Sequence, residues 1–162
     1  MVLRQSTVAL PAGLYDRLVE TVLVRYPLKS FGFLASPDNP FWPTHFLCLE
    51  DNIRNDDEWR DEFERRGRYF VDHPDAGFVA TPEESWRAEQ FLLERGLDEV
   101  AVFHTHRRHP GNFSDIDYDL HVSRFHSLWH LIISLRNPSM PQLRAFDVSP
   151  EGVCEMSIEV IA

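Results

Sequence analysis

The 162-residue chain carries 26 acidic and 16 basic side chains, a formal net charge of −10. That balance excludes a broad nucleic-acid or anionic-membrane surface, since both need a basic stripe to replace counterions. The length fits one domain spanning residues 1–162, and 43% hydrophobic with 12% aromatic residues is enough for a core.

Two cysteines, Cys48 and Cys154, lie in no CxxC pair and are too few for a disulfide framework. They read as small buried hydrophobes in a reducing cytoplasm. The opening MVLRQSTVALPAGLYD lacks the apolar run of a signal peptide. No segment approaches the ~20 apolar residues of a membrane helix. The expected location is therefore cytoplasmic.

In chain order, VLRQSTVALP alternates weakly and predicts a first strand. PAGLYDRLVETVLVRYP spaces Leu14, Leu18 and Val22 by four, which predicts an amphipathic helix ended before Pro27. SFGFLAS and THFLCLED read as two strands joined by a PDNP turn. Residues 51–80 are the least regular. DDEWRDEFERRGRYF predicts a helix with a solvated, mixed-charge face, and VDHPDAGFVA a loop. TPEESWRAEQFLLERG carries full helix punctuation: Thr81 as N-cap, Pro82 in the first turn, Glu84 closing a capping box and Gly96 as stop. Trp86, Phe91 and Leu92 are its expected core or near-core residues. DEVAVFHTH is a strand with a buried centre, and SDIDYDLHVSRFHS a helix starting at Ser114. LWHLIISLR, QLRAFDVS and VCEMSIEVI are three closing strands. The order β-α-β-β-α-β-α-β-β-β predicts an α/β or α+β domain, a mixed sheet flanked by helices.

The chemistry concentrates in VFHTHRRHPGNFSDIDYDLH, residues 102–121. On a strand, His104 and His106 point to one face, about 6–7 Å apart, and both can reach one ion. They lie at the C-terminal end of the strand, where sheets often open to a site. Asp117 follows His106 by eleven residues across a Pro- and Gly-bearing turn, so the first turn of the next helix can return a carboxylate. Two histidines, one aspartate and an open fourth position are the pattern of a catalytic zinc. Ser114 can donate to an oxyanion. Ser114 and Asp117 also fit the S-x-x-D capping box, and a lone His-x-His is often only two surface histidines or satisfied polar groups. From the residues alone both readings stay open.

The spacing of His104, His106, Ser114 and Asp117, H-x-H-x7-S-x2-D, resembles the JAMM motif of the JAB/MPN/Mov34 metalloprotease family. The element order is similar to the MPN fold over roughly residues 1–160. The resemblance implies zinc as cofactor, with His104, His106 and Asp117 as its ligands and Ser114 at the oxyanion. It implies a zinc metallopeptidase or isopeptidase that cleaves at the C-terminal attachment of a ubiquitin-like or sulfur-carrier protein; the net charge is what argues against nucleic acid or membrane as partners.

One position departs from that pattern. The family places a general-base glutamate in E-x-x-G ahead of the first core strand. Aligning Gly32, Phe33 and Leu34 puts Lys29 there, the chain's only lysine. An ammonium near its ordinary pKa of ~10.4 accepts no proton at neutral pH, although burial beside a cation can produce a neutral lysine. Lys29 can instead pair with Asp117 or another carboxylate and close the site. Other candidate bases are Glu50, Glu62, Glu64, His45 and His109, each with a plain solvated reading. His109, on the loop beyond the motif strand, and His121, one helical turn after Asp117, are candidates to support the ligands from behind. The alternative to an enzyme is a catalytically impaired MPN-like binding module.

Overall fold

The computed structural model describes residues 6–124 and 127–162. Its strands are β1 (Thr7–Pro11), β2 (Phe31–Ser36), β3 (His45–Cys48), β4 (Asp98–His106), β5 (Trp129–Ser134), β6 (Gln142–Ser149) and β7 (Gly152–Ile161). Its helices are α1 (Ala12–Arg25), α2 (Asp57–Arg65), α3 (Arg68–Asp72), α4 (Pro82–Arg95) and α5 (Asp115–Arg124). The predicted first-strand residues 2–5 and the helix extension over 125–126 lie outside the described residues.

The strands form one mixed sheet in the order β1-β7-β6-β5-β4-β2-β3. β4 runs parallel to β5, β1 runs parallel to β7, and the other neighbours are antiparallel. β4 and β5 are the central strands. Val100–Thr105 and all of β5 are buried, as the largely apolar centres of both strands require. Leu14, Leu18 and Val22 of α1 enter the main core with Leu131 and Ile133, as their four-residue spacing requires.

Thr81 caps α4 and Gly96 stops it as expected, but Glu84 does not close the capping box. The Glu84 amide donates to Thr81 Oγ1 at 3.1 Å, and Gly96 closes the helix at φ 63°. The Glu84 carboxylate accepts instead from the Glu50 and Asp51 amides at 2.7 and 2.8 Å. It thereby ties the chain leaving β3 onto the helix. The sequence misplaces Trp86, which is 62% exposed; Ala88 is the buried residue of α4, with Phe91 and Leu92 half-buried. Neither cysteine is fully buried: Cys48 is half-buried and Cys154 exposed.

The irregular segment is organised by Arg54, whose side chain is essentially fully buried. Its guanidinium donates to the Ala76 and Phe70 carbonyls at 2.8 and 2.9 Å and stacks 4.6 Å from the Phe63 ring centre. A buried charge is tolerated only when its donors are satisfied. Here that requirement draws α2, α3 and the 74–77 loop together. The predicted loop at 71–80 begins as the end of α3 and brings Asp75 to the site.

Gly32 marks a close approach. A Cβ there would lie 1.8 Å from the Leu47 carbonyl oxygen on β3. Backbone cannot yield as a flexible side chain can, so Gly32→Ala is expected to cost about 3 kcal/mol, the upper part of the overpacking range. A urea midpoint unchanged from the parent would show that β3 moves aside freely.

Candidate metal centre

Three elements converge at the C-terminal end of β4. His104 and His106 alternate with Thr105, so both rings leave the same face. Thr105 locks the opposing chain. Its amide donates to the Ser30 carbonyl, and the Ser30 amide donates to Thr105 Oγ1, each at 2.9 Å. Phe31 pairs with His104, so the antiparallel register carries Lys29 alongside His106. The third element is the first turn of α5. The Ser114 amide donates to Asp117 Oδ2 at 3.0 Å, and the Asp117 amide donates to Ser114 Oγ at 3.1 Å. The reciprocal capping box is therefore real, and it aims the Asp117 carboxylate at the histidines. Ser114 Oγ accepts in that pair, which leaves its O–H to donate into the cavity it lines.

His104 Nε2 and His106 Nε2 stand 2.9 Å apart. Asp117 Oδ1 is 3.5 Å from the first and Asp117 Oδ2 is 3.8 Å from the second. Ligands about 2.0–2.1 Å from a tetrahedral ion stand roughly 3.3 Å from one another, and these separations bracket that value. The donor set fits as well. His106 Nδ1–H donates to the Pro110 carbonyl at 2.9 Å, so Nε2 carries the lone pair. Two imidazole nitrogens and a carboxylate suit a divalent ion such as zinc.

The electrostatics agree with neutral rings. Burial drives His104 well below its usual 6.5, with help from His106 and Lys29. Burial also lowers His106, against the pull of the Pro110 carbonyl and Asp117. Burial lowers the Lys29 ammonium to about 8, opposed by Asp117 and Asp75 and assisted by Arg54. The expected closure of the site by a Lys29–Asp117 ion pair is not what the geometry gives. Lys29 lines an open cavity of about 330 Å³ together with Asp75, His106, Ser114 and Asp117.

The remaining sequence candidates separate cleanly. Glu50, Glu62, Glu64 and His45 do not line this cavity. Glu50 borders a different groove between β3 and α4, Glu62 pairs with Arg66, and His45 contacts Thr44. His109 is exposed at the cavity rim, and the group behind His106 is the Pro110 carbonyl rather than His109. His121 does not turn to Asp117. Its ring nitrogens meet His130 Nδ1 at 2.9 Å and the Ser127 carbonyl at 2.8 Å. His130, absent from the sequence reading, lies on β5 with Nε2 2.6 Å from His104 Nδ1. Its one signal was a lone histidine inside the apolar run LWHLIISLR.

No family model and no curated protein matches the chain. Solved structures do. A Desulfitobacterium hafniense protein determined in solution is 21% identical, with TM-score 0.70 over 95% of this chain and 92% of its own. A JAB1/MPN domain protein from Archaeoglobus fulgidus is 13% identical, with TM-score 0.53 over 96% and 97%. The chain has the JAB1/MPN fold. A further MPN-type neighbour, described as a JAMM metalloprotease-like zinc site in the proteasome and signalosome, is 13% identical with TM-score 0.50, over 97% of this chain and all of its own. Identity at that level carries the fold alone. The candidate ligands of this MPN-fold chain rest on the geometry above, where His104, His106 and Asp117 bring one donor atom each within 4.8 Å of the others. Among the described residues no helix is long and apolar enough to cross a membrane.

Proposed function

We propose that the chain is a zinc-dependent metallopeptidase or isopeptidase of JAMM type. It would hydrolyse the peptide or isopeptide bond at the C-terminus of a ubiquitin-like or sulfur-carrier protein. The observation that carries this reading is the convergence of His104, His106 and Asp117 on one point at the edge of a cavity that also holds Ser114 and Lys29. Bound zinc supplies Lewis acidity and an acidified water. The chain's own groups do the rest. Ser114 Oγ–H donates to the oxygen that gains charge as the carbonyl is attacked. Lys29 Nζ, held near pKa 8, takes a proton in its neutral form and returns it to the leaving amine. A cavity of about 330 Å³ is far smaller than a folded domain, which suits a flexible C-terminal tail as substrate.

A second reading is favoured by one observation. At neutral pH most Lys29 is an ammonium, so the site can hold a tail through its carbonyl and terminal charge without turning it over. One preparation separates the readings. The purified protein is expected to contain about one zinc per chain and to release the tail from a ubiquitin-like fusion, with chelator abolishing release. Zinc at one equivalent without release at any pH leaves the binding module. Asp117→Ala, which removes one of three protein ligands, is expected to weaken zinc by at least the 10–100-fold seen for supporting groups. Unchanged affinity in a chelator competition removes Asp117 from the ligand set.

A further inference from the structure

Four buried or half-buried imidazoles run inward from the cavity in an unbroken line: His106, His104, His130 and His121. The links are 2.9 Å between His106 Nε2 and His104 Nε2, 2.6 Å between His104 Nδ1 and His130 Nε2, and 2.9 Å between His130 Nδ1 and His121 Nδ1. The inner end is the Ser127 carbonyl, 2.8 Å from His121 Nε2. His104, His121 and His130 are each about 2% exposed.

Each link between two imidazoles is ambiguous by itself, because a ring nitrogen either donates or accepts. The carbonyl at the end is not ambiguous, since it can only accept. His121 Nε2 therefore carries the proton, and His121 Nδ1 carries the lone pair. His130 Nδ1–H must then donate to it, which leaves His130 Nε2 as acceptor. His104 Nδ1–H must donate in turn, which leaves the lone pair on His104 Nε2. From the opposite side, the Pro110 carbonyl fixes the proton of His106 on Nδ1. Two carbonyls at the two ends thus place two bare Nε2 lone pairs 2.9 Å apart beside the Asp117 carboxylate. Without a cation between them those groups repel. The arrangement requires neutral rings, and burial lowers all four below their usual 6.5.

We propose that His130 and His121, anchored on the Ser127 carbonyl, are positioning residues that hold His104 in the tautomer presenting Nε2 to a divalent metal. This rests on the metal-centre reading above. A metal-bound histidine usually leans on a carboxylate, carbonyl or water. Here the prop is two further imidazoles deep: His130 on the neighbouring strand β5 and His121 on α5, ending at the Ser127 carbonyl. A ring keeps its plane as well as its proton, so the relay also fixes the angle at which His104 meets the ion.

The tautomers are readable without metal or activity. Long-range proton–nitrogen correlation spectra of the metal-free protein, labelled at histidine, are expected to show the proton on Nδ1 of His104 and His130 and on Nε2 of His121. A proton on His104 Nε2 would overturn the proposal. Zinc affinity by chelator competition gives a second readout. His130→Leu removes the acceptor, and zinc is expected to bind about 10–100-fold more weakly. His130→Gln offers an amide oxygen to His104 and an amide N–H to His121, so it is expected to restore binding to within about threefold of the parent. A merely structural His130 predicts equal affinity for the Leu variant, or no rescue by Gln in a folded protein, and either result rejects the relay. A parent that binds no zinc defeats the metal reading, while the spectra still decide the relay.

Discussion

Hydrolysis of a ubiquitin-like fusion by the zinc-loaded protein is expected to rise with pH and then level off as Lys29 loses its proton; burial lowers its pKa to about 8 without metal, and the charge of a bound ion lowers it further. At pH 7 a group with a pKa of about 8 is neutral in about one molecule in ten, a fraction that the charge of the ion raises. Lys29→Glu replaces it with a carboxylate that is deprotonated throughout. This variant should gain up to roughly tenfold at pH 7 and lose the alkaline rise. Lys29→Met keeps the stem and has no proton acceptor, so it is expected to fall by 10²–10⁴-fold, the usual contribution of a positioned base. Asp75→Asn refines the assignment. Asp75 raises the Lys29 pKa, so its removal should move the rising limb to lower pH. A parent and a Lys29→Met variant with the same rate and the same profile would clear Lys29 of any proton-transfer role. A parent with no turnover beside a Lys29→Glu variant that cleaves would identify a binding module one substitution from an enzyme.

The alkaline limb follows from how the site is walled. Lys29 is carried into it by the β2–β4 register, which Thr105 pins at Ser30. Arg54, buried beneath the 74–77 loop, adds positive charge from below. Burial and Arg54 favour the neutral amine; Asp75 and Asp117 favour the ammonium. The intermediate pKa is the balance of these effects and belongs to this particular cavity.

Much of this was legible in the chain because the relevant signals are local. H-x-H on a strand end and S-x-x-D at a helix start have fixed geometry, and the structure brings them together through one turn. The helix bounds at Thr81 and Gly96 are local for the same reason. What sequence could not supply is pairing over distance. β1 aligns with β7 and β4 with β5 in parallel, and nothing in a strand's own residues names its neighbour. His130 was missed for that reason: its role exists only because β5 lies beside β4 and His121 of α5 reaches it. Trp86 was misassigned because aromatic residues are usually buried, whereas α4 turns Ala88 inward and leaves Trp86 in solvent. Cys154 shares a face of β7 with the buried Met156 but lies two residues nearer the β6–β7 turn, where the same face is exposed.

Acid is expected to release the metal and to destabilise the fold over one pH range. His104, His106, His121 and His130 all have folded pKa values below 6.5. Below that pH the unfolded chain takes up protons that the folded chain refuses. The unfolded state then binds more protons, so stability falls as pH falls. Each ring contributes at most about 1.4 kcal/mol per pH unit. The four rings act in the same direction, so the acid limb is expected to be steeper than one ring alone would give. Zinc competes with the same protons, because imidazole binds it only when neutral. Urea melts of the metal-free protein at a series of pH values test the fold, and dye-monitored zinc release tests the ion. His130→Leu separates the two effects. It removes one buried titrating ring, so the acid slope should become shallower, while zinc should leave at higher pH because its affinity is lower. If the slope stays as steep as the parent's, the protons that unfold the protein go elsewhere than to this line of histidines.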